Sequence, residues 1–333
     1  MSLAKAVRIV GAGGVEVLTI EDLPRPEPGE GEVLVEVAAA GLNRADCLQR
    51  KGFYPAPKGV VPDIPGLEYA GTVCSLGPGA SEWSVGDRVM GICAGGAMST
   101  HLAVHESTAL AVPPGMKLRE AAAIPEVFMT AYDALQQGGM SSGRSVLVHA
   151  IGSGVGSAAL QLVKRGKGRV IGTSRSQAKL AKASDLGLSE SLLVEGARFA
   201  KEVSRLTEGA GVEIILDFVG PDYLTENLKA LAPQGRLVVI GLLSGIRGEL
   251  PMGLLLAKRA SIIGTVLRSR SLLEKASLTA AFSRDVSPGF STAELSPVID
   301  RVMPMQEIAD AHLYMESNQS FGKIVMRDRK SVV

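Results

Sequence analysis

The sequence predicts an α/β protein: a doubly wound parallel sheet joined to an all-β barrel. Three observations carry that prediction. Up to about residue 120, apolar residues fall in short β-rich runs split by Gly/Pro turns. From Ser145 onward, strand and helix patterns alternate. Where the first of those strands ends, at VLVHAIGSGVGS, three alternating glycines lead into a helix. A chain of 333 residues is longer than one hydrophobic core usually serves, so two domains are expected.

In the first part the strand candidates are AVRIV, VEVLTI, EVLVEVAAAGLN, EYAGTVCSLG, DRVMGI and STHLAV, separated by turn-rich stretches such as PRPEPGEGE and LGPGASEWSVGD. The pattern turns helical at LREAAAIPEVFMTAYDAL, where Pro125 starts a new helix. Strands then follow at SVLVHA, RVIGTS, LLV, EIILDFVG, GRLVVIGL and SIIGTVL. Between them lie the helices SAALQLVKRG, QAKLAKASDLG, ARFAKEVSRLTEG and DYLTENLKAL. Six strands complete one sheet, so the later helices SLLEKASLTAAFSRDV and MQEIADAHLYMES and the strand GKIVMR are expected to rejoin the barrel. The expected domains are therefore 1–122 with 268–333, and 123–267. The terminal DRKSVV is expected to be disordered.

Composition narrows the function. The net charge is +1, no basic run occurs and aromatics are 4%, which argues against nucleic acid or a membrane surface as the main partner. No apolar run approaches the ~20 residues of a membrane span, and MSLAKAVRIV is too short and polar for a signal peptide. Cys47, Cys74 and Cys93 are widely spaced without a C-x-x-C pair, which suits a reduced, cytoplasmic protein.

The glycine turn departs from the literal dinucleotide pattern G-x-G-x-x-G. With Gly156 as third glycine, Ile151 and Ser153 stand at the first two positions. Gly152 and Gly154 can supply flexible backbone one residue over, Ser153 adds a hydroxyl donor, and the helix is expected to open at Ser157 or Ala158. Strand, turn and helix in that order place a pyrophosphate at the helix N-terminus. About 20 residues further on, a binder of NADH usually carries an acid for the ribose diol. Here no acid occurs between Arg169 and Ser184, and Ser174, Arg175 and Lys179 offer hydroxyl and cationic partners for a 2′-phosphate. NADPH is the predicted cofactor.

These parts, with AAAGLNRADCLQRKGFY, IPGLEYAGTV, AAAIPEVFMTAY, VHAIGSGVG, LDFVG, IGLLSG, TVLRSR and FGKIVM, cover nearly the whole chain. Together they resemble the zinc-free quinone oxidoreductases of the medium-chain dehydrogenase/reductase superfamily, nearest to the tumour-suppressor-inducible type. The resemblance implies a GroES-like barrel beside a Rossmann domain, with the active site in the cleft between them. It implies that Asn43 and Thr130 contact the nicotinamide end, and that Gly152, Ser153, Gly154 and Val155 hold the pyrophosphate. It puts Ser174 and Lys179 on the 2′-phosphate, Gly241, Leu242, Leu243, Leu267 and Arg268 beside the nicotinamide, Asn318 and Lys323 at the cofactor edge, and Tyr54 in the quinone pocket. Two positions depart from relatives: Val194 stands where a Tyr often packs by the adenosine, and Leu48 where some carry a second pocket Tyr.

No metal is expected. Zinc-dependent relatives place Cys at the position of Asn43, His at that of Leu67 and Cys near Glu126, and these soft or imidazole ligands are missing. A quinone is already electrophilic, so positioning against the nicotinamide supplies most of the catalysis, with Tyr54 or Asn43 as a donor to the developing oxyanion. Reduction of an activated C=C bond in an enone, alkenal or enoyl thioester is the alternative reading, and an NADPH-linked RNA-binding or structural protein a further one. The apolar, β-branched SIIGTVL at the sheet edge predicts a homodimer with a continuous sheet.

Overall fold

The computed structural model describes residues 2–328; residues 329–333 of the DRKSVV tail lie outside the described residues. The chain divides into two compact units, residues 1–129 with 267–333, and residues 130–266.

The first unit opens with an antiparallel pair, β1 (Leu3–Ile9) and β2 (Leu18–Pro24). The eleven-residue β3 (Glu32–Leu42) leads into helix α1 (Arg44–Arg50). Then come β4 (Glu68–Leu76), β5 (Arg88–Ile92), β6 (His101–His105), β7 (Ala109–Ala111) and the short helix α2 (Leu118–Ala121). Helix α3 (Pro125–Gln137) follows, and its residues from Thr130 belong to the second unit. The alternating inward residues Val33, Val35 and Val37 of β3 pack with Tyr69, Val73, Val89 and Met98 in one apolar core.

The second unit is a Rossmann-type parallel sheet. Its strands are β8 (Ser145–Val148), β9 (Arg169–Ser174), β10 (Glu190–Leu193), β11 (Val212–Asp217), β12 (Leu231–Val239) and β13 (Ser261–Gly264). Helices α4 (Gly154–Arg165), α5 (Gln177–Asp185), α6 (Ala200–Leu206), α7 (Pro221–Ala230) and α8 (Met252–Lys258) connect them. The spatial order is β10-β9-β8-β11-β12-β13, every pair parallel. The order reverses between β8 and β11, so the crevice outside their carboxyl ends is where such sheets take ligands.

The chain then returns to the first unit with α9 (Leu272–Asp285), α10 (Pro288–Ser291), β14 (Ile299–Pro304), α11 (Ile308–Glu316) and β15 (Lys323–Arg327). β15 pairs antiparallel with β3, and β14 lies parallel to β15. No helix among the described residues is long and apolar enough to cross a membrane.

Several elements differ from the sequence expectation. Residues Val15–Val17 form a 3-10 turn rather than the start of a strand. Helix α4 begins at Gly154, three residues before the earliest expected start, because Ser153 caps it. β12 starts at Leu231, and its register against β11 shifts between Val212 and Ile214. Four elements carry no strong periodic signal: α1 is mostly polar, β7 has three residues, α8 leaves its apolar Met252 and Leu256 exposed, and β14 is never fully buried.

Candidate functional site

In the second unit the turn after β8 is built around Ala150, whose φ of 47° is left-handed. None of Gly152, Gly154 and Gly156 has a positive φ, so the bend falls on an alanine rather than on the expected glycines. Backbone bonds hold it: His149 N–H to the Leu216 carbonyl (3.1 Å) and Ile151 N–H to that of Thr173 (3.0 Å). Gly156 does have the role of a third glycine, since a Cβ there would meet the Ala150 oxygen at 2.6 Å. Ser153 Oγ accepts the Gly156 N–H (3.0 Å), which leaves its own hydrogen to donate. With no acid in the first turn of α4, no side chain of that turn opposes a negative charge at the helix N-terminus, and the chemistry of the turn is compatible with a dinucleotide pyrophosphate.

Beneath this turn runs a buried relay. His149 meets Thr173 Oγ1 through Nδ1 (2.9 Å) and Asn227 Oδ1 through Nε2 (2.7 Å). Asn227 Nδ2 donates to Asp217 Oδ2 (3.1 Å), and the other Asp217 oxygen accepts the Val219 N–H (2.7 Å). Phe199 and Tyr223 pack edge-on against the imidazole. Burial pushes His149 down to about 4 and Asp217 up to about 6. The carboxyl ends of β8, β9 and β11 are thereby fixed by side chains as well as by the sheet.

At the end of β9, Ser174 Oγ accepts the Ser176 N–H (3.1 Å), and Ser176 caps α5 by accepting the Lys179 N–H (3.4 Å). Arg175 is exposed, Lys179 half-buried, and no acid lies in the first turn of α5. Val194 is buried in the apolar core. In the loop after β12, the Gly241 N–H donates to the Asp217 carbonyl (3.2 Å), while Leu242 and Leu243 are exposed. Thr130 is buried on α3, and Val155 is half-buried in the first turn of α4.

In the first unit a polar cluster forms around Lys323. This lysine, 3% exposed, donates to the Leu42 carbonyl (2.8 Å) and Asn43 Oδ1 (2.7 Å), and stands 2.6 Å from Glu68 Oε1. Asn43 Nδ2 donates to the same Glu68 oxygen (3.0 Å), and Glu68 Oε2 accepts the Glu126 N–H (2.8 Å). A Cβ on Gly41 would collide with the Glu68 carboxyl, so this position requires glycine. Asn43 also begins α1: its N–H donates to Asp46 Oδ2 (2.8 Å), while Asp46 Oδ1 accepts the Gly66 N–H (2.8 Å). Burial pushes Asp46 up to about 6, and burial with the neighbouring Glu68 pushes Glu126 up to about 8. The three hydrogens of Lys323 are spent inside this cluster.

Arg268 is equally committed. It donates to the Ala94 carbonyl (2.7 Å), the Tyr54 carbonyl (3.0 Å) and Gln49 Oε1 (2.7 Å), and its guanidinium lies 5.0 Å from the Tyr54 ring centre. It thus fixes the segment carrying Tyr54, which is half-buried with its phenol pushed up by burial. Leu267 is buried; Asn318 is exposed and accepts from Arg44 Nη2 (2.6 Å). The sequence alone assigns no function to Glu126, Asp46 or the His149 relay. The Asn43-x-x-Asp46 spacing is a helix-start signal that points to α1. Among the described residues no group of three His, Cys, Asp or Glu side chains is placed to hold a metal ion.

Comparison with known proteins adds family context. Residues 29–126 match the alcohol dehydrogenase GroES-like domain, and residues 154–281 match the domain described as zinc-binding dehydrogenase. The chain is 31% identical to the quinone oxidoreductase of Homo sapiens over 97% of this chain and 98% of that protein. It superposes on the JamJ enoyl reductase (apo form) with a TM-score of 0.89 at 28% identity, covering 98% of this chain and all of the other. A mycobacterial protein complexed with NADPH gives a TM-score of 0.87 at 30% identity, covering 97% and 99% of the two chains.

Proposed function

We propose NADPH-dependent, zinc-independent reduction of quinones as the activity of this chain, which belongs to the medium-chain dehydrogenase/reductase superfamily of oxidoreductases. The observation that carries the cofactor assignment is the end of β9. Ser174, Arg175 and Lys179 gather at the N-terminus of α5, with no acid in its first turn to take a ribose diol. A 2′-phosphate would meet hydroxyl, cation and helix dipole together. Gly152, Ser153, Gly154 and Val155 hold the pyrophosphate in this reading. Asn43 and Thr130 contact the nicotinamide end, with Gly241, Leu242, Leu243 and Leu267 beside it. Asn318 belongs to the cofactor edge, while Lys323 acts by holding the Asn43 amide and Arg268 by holding Tyr54.

When bound, the reduced nicotinamide supplies a hydride. The residues of this chain bind it, orient the acceptor and stabilise developing negative charge, for which an electrophilic quinone needs no Lewis acid. An ammonium, an amide and a carboxylate close on one another at Asn43, which supports a reaction without zinc. The motifs around Asn43, Glu126 and the glycine turn favour the tumour-suppressor-inducible type. Reduction of an activated C=C bond is the second reading, supported by the likeness to the JamJ enoyl reductase.

We read the protein as a cytoplasmic homodimer, with neither a membrane nor a nucleic acid as partner. Three free cysteines suit a reducing compartment. β13 is the last strand of its sheet and leaves Ile262 exposed, so its open edge can pair with the same edge of a second copy. The cofactor assignment is tested by titrating NADPH and NADH against nicotinamide fluorescence in the wild type and in Lys179→Glu. Tighter NADPH binding that is lost selectively in the variant is the expected result. Equal affinities in the wild type would remove the argument from β9.

A further inference from the structure

We propose that Glu126 hands the acceptor its proton during reduction, an inference that rests on the reductase reading above. Glu126 lies in the first turn of α3, and its N–H, bound to Glu68 Oε2 (2.8 Å), pins that turn to the cluster holding the Asn43 amide. Its own carboxyl oxygens accept no hydrogen bond among the described residues. The side chain is half-buried, neither sealed in the core nor open to water.

The groups around it explain why the carboxyl keeps a proton. Glu68 on β4 and Asp46 on α1 face it with like charge. Cys93 and Tyr54 lie within electrostatic reach, and burial holds both in their neutral forms. The nearby cations are engaged elsewhere: Lys323 with Leu42, Asn43 and Glu68, Arg268 with Ala94, Tyr54 and Gln49, and Lys275 with the Arg268 carbonyl. With no donor to satisfy a carboxylate, the acid form persists up to about pH 8. Lys323 and Arg268 still lower the cost of the carboxylate once the proton has left.

Hydride addition leaves negative charge on an acceptor oxygen. That oxygen takes the Glu126 proton: the carboxyl O–H breaks, an acceptor O–H forms, and water returns a proton to the carboxylate. One hydride from the reduced nicotinamide and one proton turn a quinone into a hydroquinone, or an enone into its enol. A general acid of this kind contributes roughly 100-fold or more when the acceptor anion is basic, as an enolate is.

The experiment compares wild type, Glu126→Gln and Glu126→Asp with NADPH and either a 1,4-quinone or an enone across the pH range, alongside infrared titration of the free proteins. The wild-type kcat should fall tenfold per pH unit above about 8. Glu126→Gln should lose at least about tenfold in kcat at neutral pH, and with it the alkaline fall. Glu126→Asp should keep that fall at a displaced pH. An infrared band of a protonated carboxyl at neutral pH should disappear in Glu126→Gln. NADPH affinity and melting temperature report whether Glu126→Gln is folded; if it is not, Glu126→Asp and the infrared band decide. An unchanged alkaline fall in folded Glu126→Gln, or a wild type without the band, overturns the proposal. A wild type that reduces neither acceptor overturns the reductase reading and the donor role with it, and a band that persists there traces the failure to the acceptor rather than to the carboxyl.

Discussion

Replacing Lys323 with methionine should unfold the first unit far more easily, and the structure gives the size of the effect. Methionine fills a similar volume but removes three interactions at once, those with the Leu42 carbonyl, Asn43 Oδ1 and Glu68 Oε1. Glu68 is 0% exposed, so its charge is left in the core with Asn43 Nδ2 and the Glu126 N–H as its remaining donors among the described residues. Breaking a buried pair from one side costs about 3–5 kcal/mol, a large part of the 5–15 kcal/mol that typically holds a domain. Adding Glu68→Gln removes the stranded charge, so the double variant should regain most of that loss. The assay is urea unfolding followed by the fluorescence of Trp83, which packs against the core of the same unit. A loss below about 1 kcal/mol in Lys323→Met, or a double variant no more stable than the single one, would refute the reasoning.

Two further outcomes follow from buried groups. His149→Leu strands Asn227 Oδ1 and the Thr173 hydroxyl in the core of the second unit; at about 1–3 kcal/mol for each unsatisfied group, a loss of about 2–6 kcal/mol is expected in calorimetry, and an unchanged melting temperature would contradict the relay. The pH dependence of stability has a definite sign. Glu126 holds its proton more tightly folded than unfolded, so its contribution is favourable at low pH and is lost as pH rises through about 8. Asp46 and Asp217, at about 6, act in the same sense at lower pH, while His149 and His312, pushed down to about 4, act oppositely and only in the acid range. Between about pH 7 and 8 the urea midpoint should therefore fall, by up to about 1.4 kcal/mol of stability per pH unit, and Glu126→Gln should flatten that slope. A rising midpoint in this window would contradict the assignment.

The two-part α/β architecture was legible because its evidence is periodic: apolar runs of strand length, helices between them and a glycine turn in one place. The glycine turn was only partly legible. Gly156 packs where the pattern requires, yet the left-handed bend falls on Ala150, a residue type that gives no sequence signal for it. Short elements held by side chains rather than by periodicity escaped, α1 above all, although Asn43 and Asp46 are spaced as a helix start. The Lys323–Glu68–Asn43 cluster escaped for another reason. Its members lie far apart in the chain and only the pairing of β15 with β3, and of β3 with β4, brings them together. The sequence shows Lys323 as a lone lysine in an apolar strand, and nothing in that pattern shows that its ammonium pairs with the buried Glu68 carboxylate.

The most direct test of the central claim is parallel steady-state turnover with NADPH of 1,2- and 1,4-quinones against enones, on metal-free protein prepared with a chelator. Quinone reduction should survive chelation, with kcat/KM higher for at least one quinone than for every enone. Enones turned over far faster than every quinone, or activity that vanishes with the chelator and returns with zinc, would contradict it.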